Sequence, residues 1–367
     1  MSLGIAGAGW VTPLGSGLDE VWERLNQGEE AAVEMISDGP DKKSYPVFRV
    51  PATALKELPV HPRLRRAGAI SRFAAAAGLA ALHDAGMQLT EQTAARTALI
   101  FAIANGGVVY TKRFYHDIVA SGAGSASPLL FPETVFNAPA SHLAAILGIA
   151  GACYTLVGDG AIGVQAIGMA EDLMANDQLD CCLVVAAEEA DWLLCDAYAK
   201  WRLIRKGPPI EPFGKPARGT ILSEGAGAVL ISRQGKVQIE AVQRGAIFSS
   251  RRRLPDALRQ VLRELETPRH ATIIASANGT FIDHAEAAAI SEFARDAAAY
   301  TPKAALGESV GASGLWQTIA AMKALQTGRL PPNLHGKTGK SAGAAVTPAI
   351  VLNCGLNQQV AGLRLSI

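Results

Sequence analysis

Residues 151–169, GACYTLVGDGAIGVQAIGM, constrain this chain more than any other stretch. Cys153 to Val157 form a short apolar run, and Gly158-Asp159-Gly160 then turn the chain sharply. Ala161, Ile162, Val164, Ala166, Ile167 and Met169 follow with almost no charge among them. Such a run suits a helix buried on nearly every side. A strand, a tight glycine turn and a buried helix together place one backbone position at a helix N-terminus. There the free N–H groups and the positive end of the dipole favour an anion or a polarised carbonyl. Many enzymes put a nucleophile at such a position; this chain puts Gly160 there.

A helix buried all round needs a large body around it. The 367 residues, 49% of them hydrophobic, supply one and suffice for two units of ordinary domain size. The pattern predicts a first strand at residues 5–10 and an amphipathic helix at 18–26. Residues 28–60, with four prolines, read as an irregular surface excursion. An alanine-rich helix follows at 68–86, then a buried strand at 98–104 ending in Asn105-Gly106-Gly107, a polar region, and a helix at 139–147. After the central stretch come a strand at 180–187, the acidic Glu188-Glu189-Ala190-Asp191, a proline-rich loop at 200–216 and a strand at 229–232. Beyond Gly235, strands at 237–242, 272–277, 304–307 and 349–353 alternate with helices near 255–266, 284–298 and 313–327. Alternating strands and helices predict an α/β fold whose largely parallel sheet is buried on both faces. The recurrence of this rhythm after about residue 233 predicts two related halves, residues 1–233 and 234–367.

Lys+Arg 34 against Asp+Glu 33 leaves a net charge of +1, which argues against nucleic acid as a partner and for proteins or small molecules. No run approaches the roughly 18 apolar residues of a membrane helix. The opening MSLGIAGAGWVTPLG has no basic segment and reaches Pro13 too soon for a signal peptide, so a soluble cytoplasmic protein is expected. The five cysteines, Cys153, Cys181, Cys182, Cys195 and Cys354, have no paired or metal-ligand spacing. They are expected to be reduced and mostly buried, with no metal and no cofactor.

Several segments, in order, resemble one family. GIAGAGWVTPLGSGLDEVWERLNQG, NAPASHLAAILGIAGACYTL, VVAAEEAD, EPFGKPARGTILSEGAGAVLI, SANGTFIDHAEA, TPKAALGESVGASGLWQTIAAMKALQTGRLPPNL and VLNCG run through the whole chain. Together they resemble the β-ketoacyl synthases of the thiolase fold, a layered α/β/α/β/α arrangement of two similar halves. Pro212, Phe213, Arg218, Gly219, Glu224, Gly225 and Ala226 fall in register with the family's run, and the strand-ending glutamate would be Glu189.

The resemblance implies a nucleophilic cysteine that takes an acyl chain from a thioester, and two histidines that assist decarboxylation. This sequence places Gly160 at the cysteine, Asn278 at the first histidine and Glu308 at the second, while Lys303 is retained. Glycine has no side chain that can accept an acyl group, so a covalent thioester at Gly160 is chemically excluded. The glycine- and phenylalanine-rich gating loop is replaced by Asn353-Cys354-Gly355-Leu356-Asn357-Gln358. The departures imply a catalytically silent subunit of chain-length-factor type. It would pair with an intact ketosynthase, or with itself, and serve an acyl chain on an acyl carrier protein in fatty-acid or polyketide biosynthesis.

Two alternatives stand beside that one. Asp159, Asn278, Glu308 and Lys303 could form a rebuilt site acting on acyl thioesters, with Asp159 and Glu308 as an acid and base pair. Alternatively the chain could be an acyl-binding regulatory protein. Structural roles compete at each position: an N-cap for Asp159, and for Glu308 packing that fills the pocket through a bond to Asn278 or Lys303. Lys303 has Glu286 and Glu224 as further candidate partners. Cys153 reads as an inert buried thiol, and His142 and His284 as capping or surface groups. Two basic clusters, Arg65 with Arg66 and Arg251 to Arg253, are either solvated faces or a dock for an acidic carrier.

Overall fold

The structure, a computed structural model, describes residues 3–39, 41–65, 67–175, 177–335 and 347–367. Ten strands form its body. The first five are β1 (Leu3–Thr12), β2 (Thr97–Ile103), β3 (Cys153–Val157), β4 (Cys181–Glu188) and β5 (Gly225–Ser232). They lie in the order β3-β2-β4-β5-β1. The second five are β6 (Val237–Ile247), β7 (Thr272–Ile274), β8 (Ala298–Tyr300), β9 (Ala349–Cys354) and β10 (Gln359–Ser366). Their order, β8-β7-β9-β10-β6, repeats the first. In each set the first three strands of that order are parallel, and the next runs antiparallel to both its neighbours. A short antiparallel contact, with Leu3 opposite Ile239, joins the sets edge to edge.

Helices cover both outer faces. The alanine-rich helix Ala69–Asp84 lies on β1, β4 and β5. A Cβ on Gly9 of β1 would stand 2.4 Å from the carbonyl oxygen of Ala77, so glycine in the strand and alanine in the helix permit one close approach. Helix Leu254–Glu264 covers β6 and β10 and packs against helix Ile282–Phe293. Between the sets run helices Ile162–Leu173 and Ser313–Thr327, each touching strands of both. Every residue of the second from Ser313 to Leu325 is buried. They cross closely: a Cβ on Gly163 would lie 3.1 Å from the amide nitrogen of Leu315. The layered α/β architecture expected from the sequence is therefore present, but the sheet is mixed and not largely parallel, because five of the nine pairings along the ten strands are antiparallel.

Some local expectations are corrected. Residues 28–60 are not irregular: strands Val33–Asp38 and Lys43–Phe48 pair with each other, and the second with Leu222–Ser223, in a small separate sheet. Val47 and Phe48 are buried there, which outweighs the turn propensity of the prolines. The polar region after Gly107 is a helix, Val108–Ser121, none of whose side chains is fully buried. Residues 304–307 are not a strand; Lys303–Leu306 form one helical turn after β8, the usual ambiguity of a short apolar run. Helix Trp192–Lys200 and strand β10 add to the expected elements. Four cysteines are buried, but Cys153 is exposed, because β3 closes the sheet with β2 as its neighbour. No helix among the described residues is long and apolar enough to cross a membrane.

Candidate functional site

Asn278 follows β7 in a tight loop, and Glu308 follows the helical turn that carries Lys303. The fold brings all three together out of water, with Asn278 0%, Lys303 1% and Glu308 2% exposed. One Glu308 oxygen accepts hydrogen bonds from Asn278 Nδ2 at 2.7 Å and Lys303 Nζ at 2.8 Å. The other accepts from Ser313 Oγ at 2.7 Å, at the start of the middle helix. The Asn278 carbonyl is also engaged, accepting from Thr280 Oγ1 at 2.7 Å and from the Thr280 amide at 3.2 Å. Asp283 holds the loop by accepting the amides of Asn278 and Gly279. Of the partners considered for Lys303, the ion pair forms with Glu308; Glu224 instead pairs with Arg49.

Gly160 lies in the turn between β3 and helix Ile162–Leu173, under the hairpin turn at residues 354–359 that joins β9 to β10. A Cβ on Gly160 would stand 3.1 Å from the Gly355 Cα and 3.4 Å from the Cys354 carbonyl oxygen. Asp159 is not the helix N-cap; that position is Ala161. One Asp159 oxygen accepts the Ala161 amide at 3.2 Å. The other reaches across to the hairpin turn and accepts the amides of Asn357 at 3.3 Å, Gln358 at 3.0 Å and Gln359 at 3.4 Å. Asp159 and Glu308 thus belong to separate hydrogen-bond networks.

Three further ionisable groups have raised pKa values. Strand β4 ends at Glu188, not Glu189, and Glu188 is buried against the amides of Ala104 and Asn105. Burial pushes its carboxyl up to about 7, against the pull of those amides. Glu189, just outside the strand, is likewise pushed up to about 7 by burial and by the nearby charge of Glu224. The Tyr198 phenol is raised by burial and then by the charges of Glu188, Glu308 and Asp159.

Residues 2–236 match the β-ketoacyl synthase N-terminal domain, and residues 235–337 match the β-ketoacyl synthase C-terminal domain. The chain belongs to the β-ketoacyl synthase family. Over 367 aligned residues it is 23% identical to a 3-oxoacyl-[acyl-carrier-protein] synthase 2 of Coxiella burnetii, covering 90% of this chain and 87% of that protein. Against the enzyme of the same name from Vibrio harveyi, identity is 25%, and the match spans 62% of this chain and 56% of the relative. In three dimensions it superposes on a β-ketoacyl synthase from Burkholderia phymatum with a TM-score of 0.87 at 19% identity, covering 100% of this chain and 99% of that one. The ishigamide ketosynthase/chain length factor superposes with a TM-score of 0.85, also at 19% identity, over 100% and 98% of the two chains. These likenesses show the thiolase-like ketosynthase fold.

Within this β-ketoacyl synthase scaffold the sequence singled out Gly160, Asn278, Glu308, Lys303 and Asp159. It missed Ser313, Tyr198 and Glu188, because an ordinary serine, tyrosine or glutamate carries no spacing signal before the fold gathers it. Neither histidine joins the network: His142 Nε2 meets Glu133 Oε1 at 2.8 Å, and His284 lines an outer groove. Arg66 lies outside the described residues. No cluster of metal-binding side chains occurs among the described residues.

Proposed function

We propose that this protein is a catalytically silent partner subunit of chain-length-factor type, working with an intact ketosynthase and an acyl carrier protein in fatty-acid- or polyketide-type biosynthesis. The observation that carries this reading is the state of Glu308. Its two oxygens accept from three buried donors, and Asn278 is engaged through both its amide nitrogen and its amide oxygen. A general base must face the proton it removes; this carboxylate, 2% exposed, faces its three donors instead. Here the polar groups satisfy one another, as a pocket filled for structure does. Gly160 offers no nucleophile, and the rebuilt pair of Asp159 and Glu308 is weakened by the separate bonding of each carboxylate.

Two surfaces support partnering. Strand β3 is an open sheet edge whose Tyr154 and Val157 are 43% and 51% exposed. Helix Val108–Ser121, with Tyr115 and Val119 exposed, adds apolar surface in the same half. An unprotected apolar edge is a template for a second chain. A groove of about 610 Å³ runs between residues 213–217 and helix Ile282–Phe293. Thr280 forms part of its wall and hydrogen-bonds Asn278 inside. Exposed Lys215 and Arg218 lie at this loop, and the Arg251 guanidinium sits 4.4 Å over the Phe281 ring. A basic rim around a groove leading inward suits an acidic carrier protein and its tethered acyl chain.

The test is co-purification of the tagged protein from its host, followed by incubation with acyl thioesters. The expected result is a ketosynthase in the complex, and no covalent acyl adduct on this chain by intact mass. A homodimer that ignores every ketosynthase of the host, or an acyl adduct on this chain, would overturn the proposal.

A further inference from the structure

Asn278, Lys303 and Glu308 bring an amine, a carboxamide and a carboxylate to one buried point. The Lys303 ammonium and the Asn278 amide nitrogen donate to the same Glu308 oxygen, at 2.8 and 2.7 Å. The two nitrogens are therefore neighbours around one atom. The Asn278 carbonyl oxygen accepts from Thr280 Oγ1 at 2.7 Å and from the Thr280 amide at 3.2 Å. Two donors on a carbonyl polarise it and stabilise the oxyanion that forms when a nucleophile adds. Ser313 Oγ fixes the other Glu308 oxygen at 2.7 Å. Asn278, Lys303 and Glu308 are 0%, 1% and 2% exposed, so the amine and the amide are held together where bulk water does not compete. The usual intramolecular rival for an asparagine side chain is the next backbone amide, here that of Gly279. It is occupied, donating to both Asp283 oxygens at 3.1 and 2.9 Å.

We propose that Lys303 and Asn278 join in an intramolecular isopeptide bond, with Glu308 as the proton carrier. The Lys303 nitrogen passes a proton to Glu308 and adds to the Asn278 Cγ. The Nζ–Cγ bond forms, the Cγ–Nδ2 bond breaks, and the departing nitrogen takes up a proton to leave as ammonia. Of the three ammonium hydrogens, one stays on the new amide, one leaves with the ammonia and one remains on Glu308. No co-reactant is needed, and an ion pair whose burial is costly becomes a neutral site. The ion pair seen in the structure is the state before linkage. This inference goes beyond the partner-subunit reading and is independent of it, because the bond ties the loop after β7 to the helical turn after β8 within one chain.

The intact mass of the purified full chain, measured under denaturing conditions, tests the proposal. The expected result is a mass about 17 Da below that of the sequence, the loss of one ammonia. A tryptic digest should then show the peptide holding Asn278 joined to one left uncut at Lys303. Glu308→Gln and Asn278→Ala, each checked for folding by circular dichroism, should return the full mass and separate peptides. A full-mass unmutated chain would overturn the proposal without recourse to any variant. So would the same loss with the two peptides separate, as cyclisation of Asn278 onto Gly279 gives. A joined peptide in Glu308→Gln would overturn the role given to the carboxylate.

Discussion

Lys303 and Glu308 form an ion pair at 2.8 Å in which each side chain is only 2% exposed. Burying two charges is expensive unless their remaining bonding capacity is met. Here Asn278 and Ser313 meet that of the carboxylate. Asn278 is one of the residues that departs from the family pattern, and Ser313 opens the helix shared by both halves of the molecule.

Breaking that pair from one side should therefore be severe. Glu308→Ala leaves a buried ammonium without a counter-charge and is expected to destabilise the chain by about 3–5 kcal/mol. Adding Lys303→Met to Glu308→Leu should recover part of the loss, because the lone charge is gone. Urea unfolding of the three proteins decides this, and equal stability of Glu308→Ala and the unmutated chain would refute it.

Restoring the nucleophile alone should not restore chemistry. Gly160→Cys is expected to yield no condensation product with acyl and extender thioesters, since Asn278 and Glu308 supply no imidazole and are bonded to each other. Product analysis by mass spectrometry is the check. Turnover by the single variant would mean that the amide and carboxylate can replace the histidines.

Stability should fall as pH rises through the neutral range. Burial pushes Glu286 up to about 8, and Glu188 and Glu189 up to about 7, from an ordinary value of 4.5. An acid whose pKa is raised by folding holds its proton in the native state while the unfolded chain has lost it. The native state then loses stability from about pH 4.5 until the folded value is passed. One Glu286 oxygen accepts the Ser276 amide and the other has no hydrogen-bond partner, so burial outweighs the pull toward the charged form. The melting temperature is expected to be higher at pH 5.5 than at pH 8.5, and Glu286→Gln should flatten the upper part of that slope. A rising profile over the same range would contradict the assignment.

The open edge should be needed for association. Val157→Lys places a charge on the exposed end of β3 and is expected to weaken any complex made through it at least tenfold, while leaving the monomer folded. Sedimentation and circular dichroism read the two effects separately. Full association of the variant would show that partners bind elsewhere.

The architecture was legible because its carriers are apolar and periodic: the helices at residues 18–26 and 313–327 fall where the pattern puts them. Gly160, Asn278 and Glu308 could be named because ordered motifs pinned their positions. Their bonding could not, since whether Glu308 meets Asn278, Lys303 or Asp159 depends on how loops from distant parts of the chain fold together. The helix Val108–Ser121 was missed although Phe114 and Tyr115 recur four residues on at Ile118 and Val119, because Lys112, Arg113, His116 and Asp117 between them make the stretch read as polar.

The close crossing of helices Ile162–Leu173 and Ser313–Thr327 has a consequence for how such a chain can change. One begins beside Gly160; the other begins with the serine that binds Glu308. Their approach is set by Gly163 against the backbone of Gly314 and Leu315, and Gly314 in turn lets the second helix close on β9, where its Cβ would lie 2.5 Å from the Asn353 Oδ1. None of these contacts uses a group that reacts. The spacing of the centre is held by small residues in the spine of the molecule, so the reactive positions are free to drift while the cradle around them stays the same size.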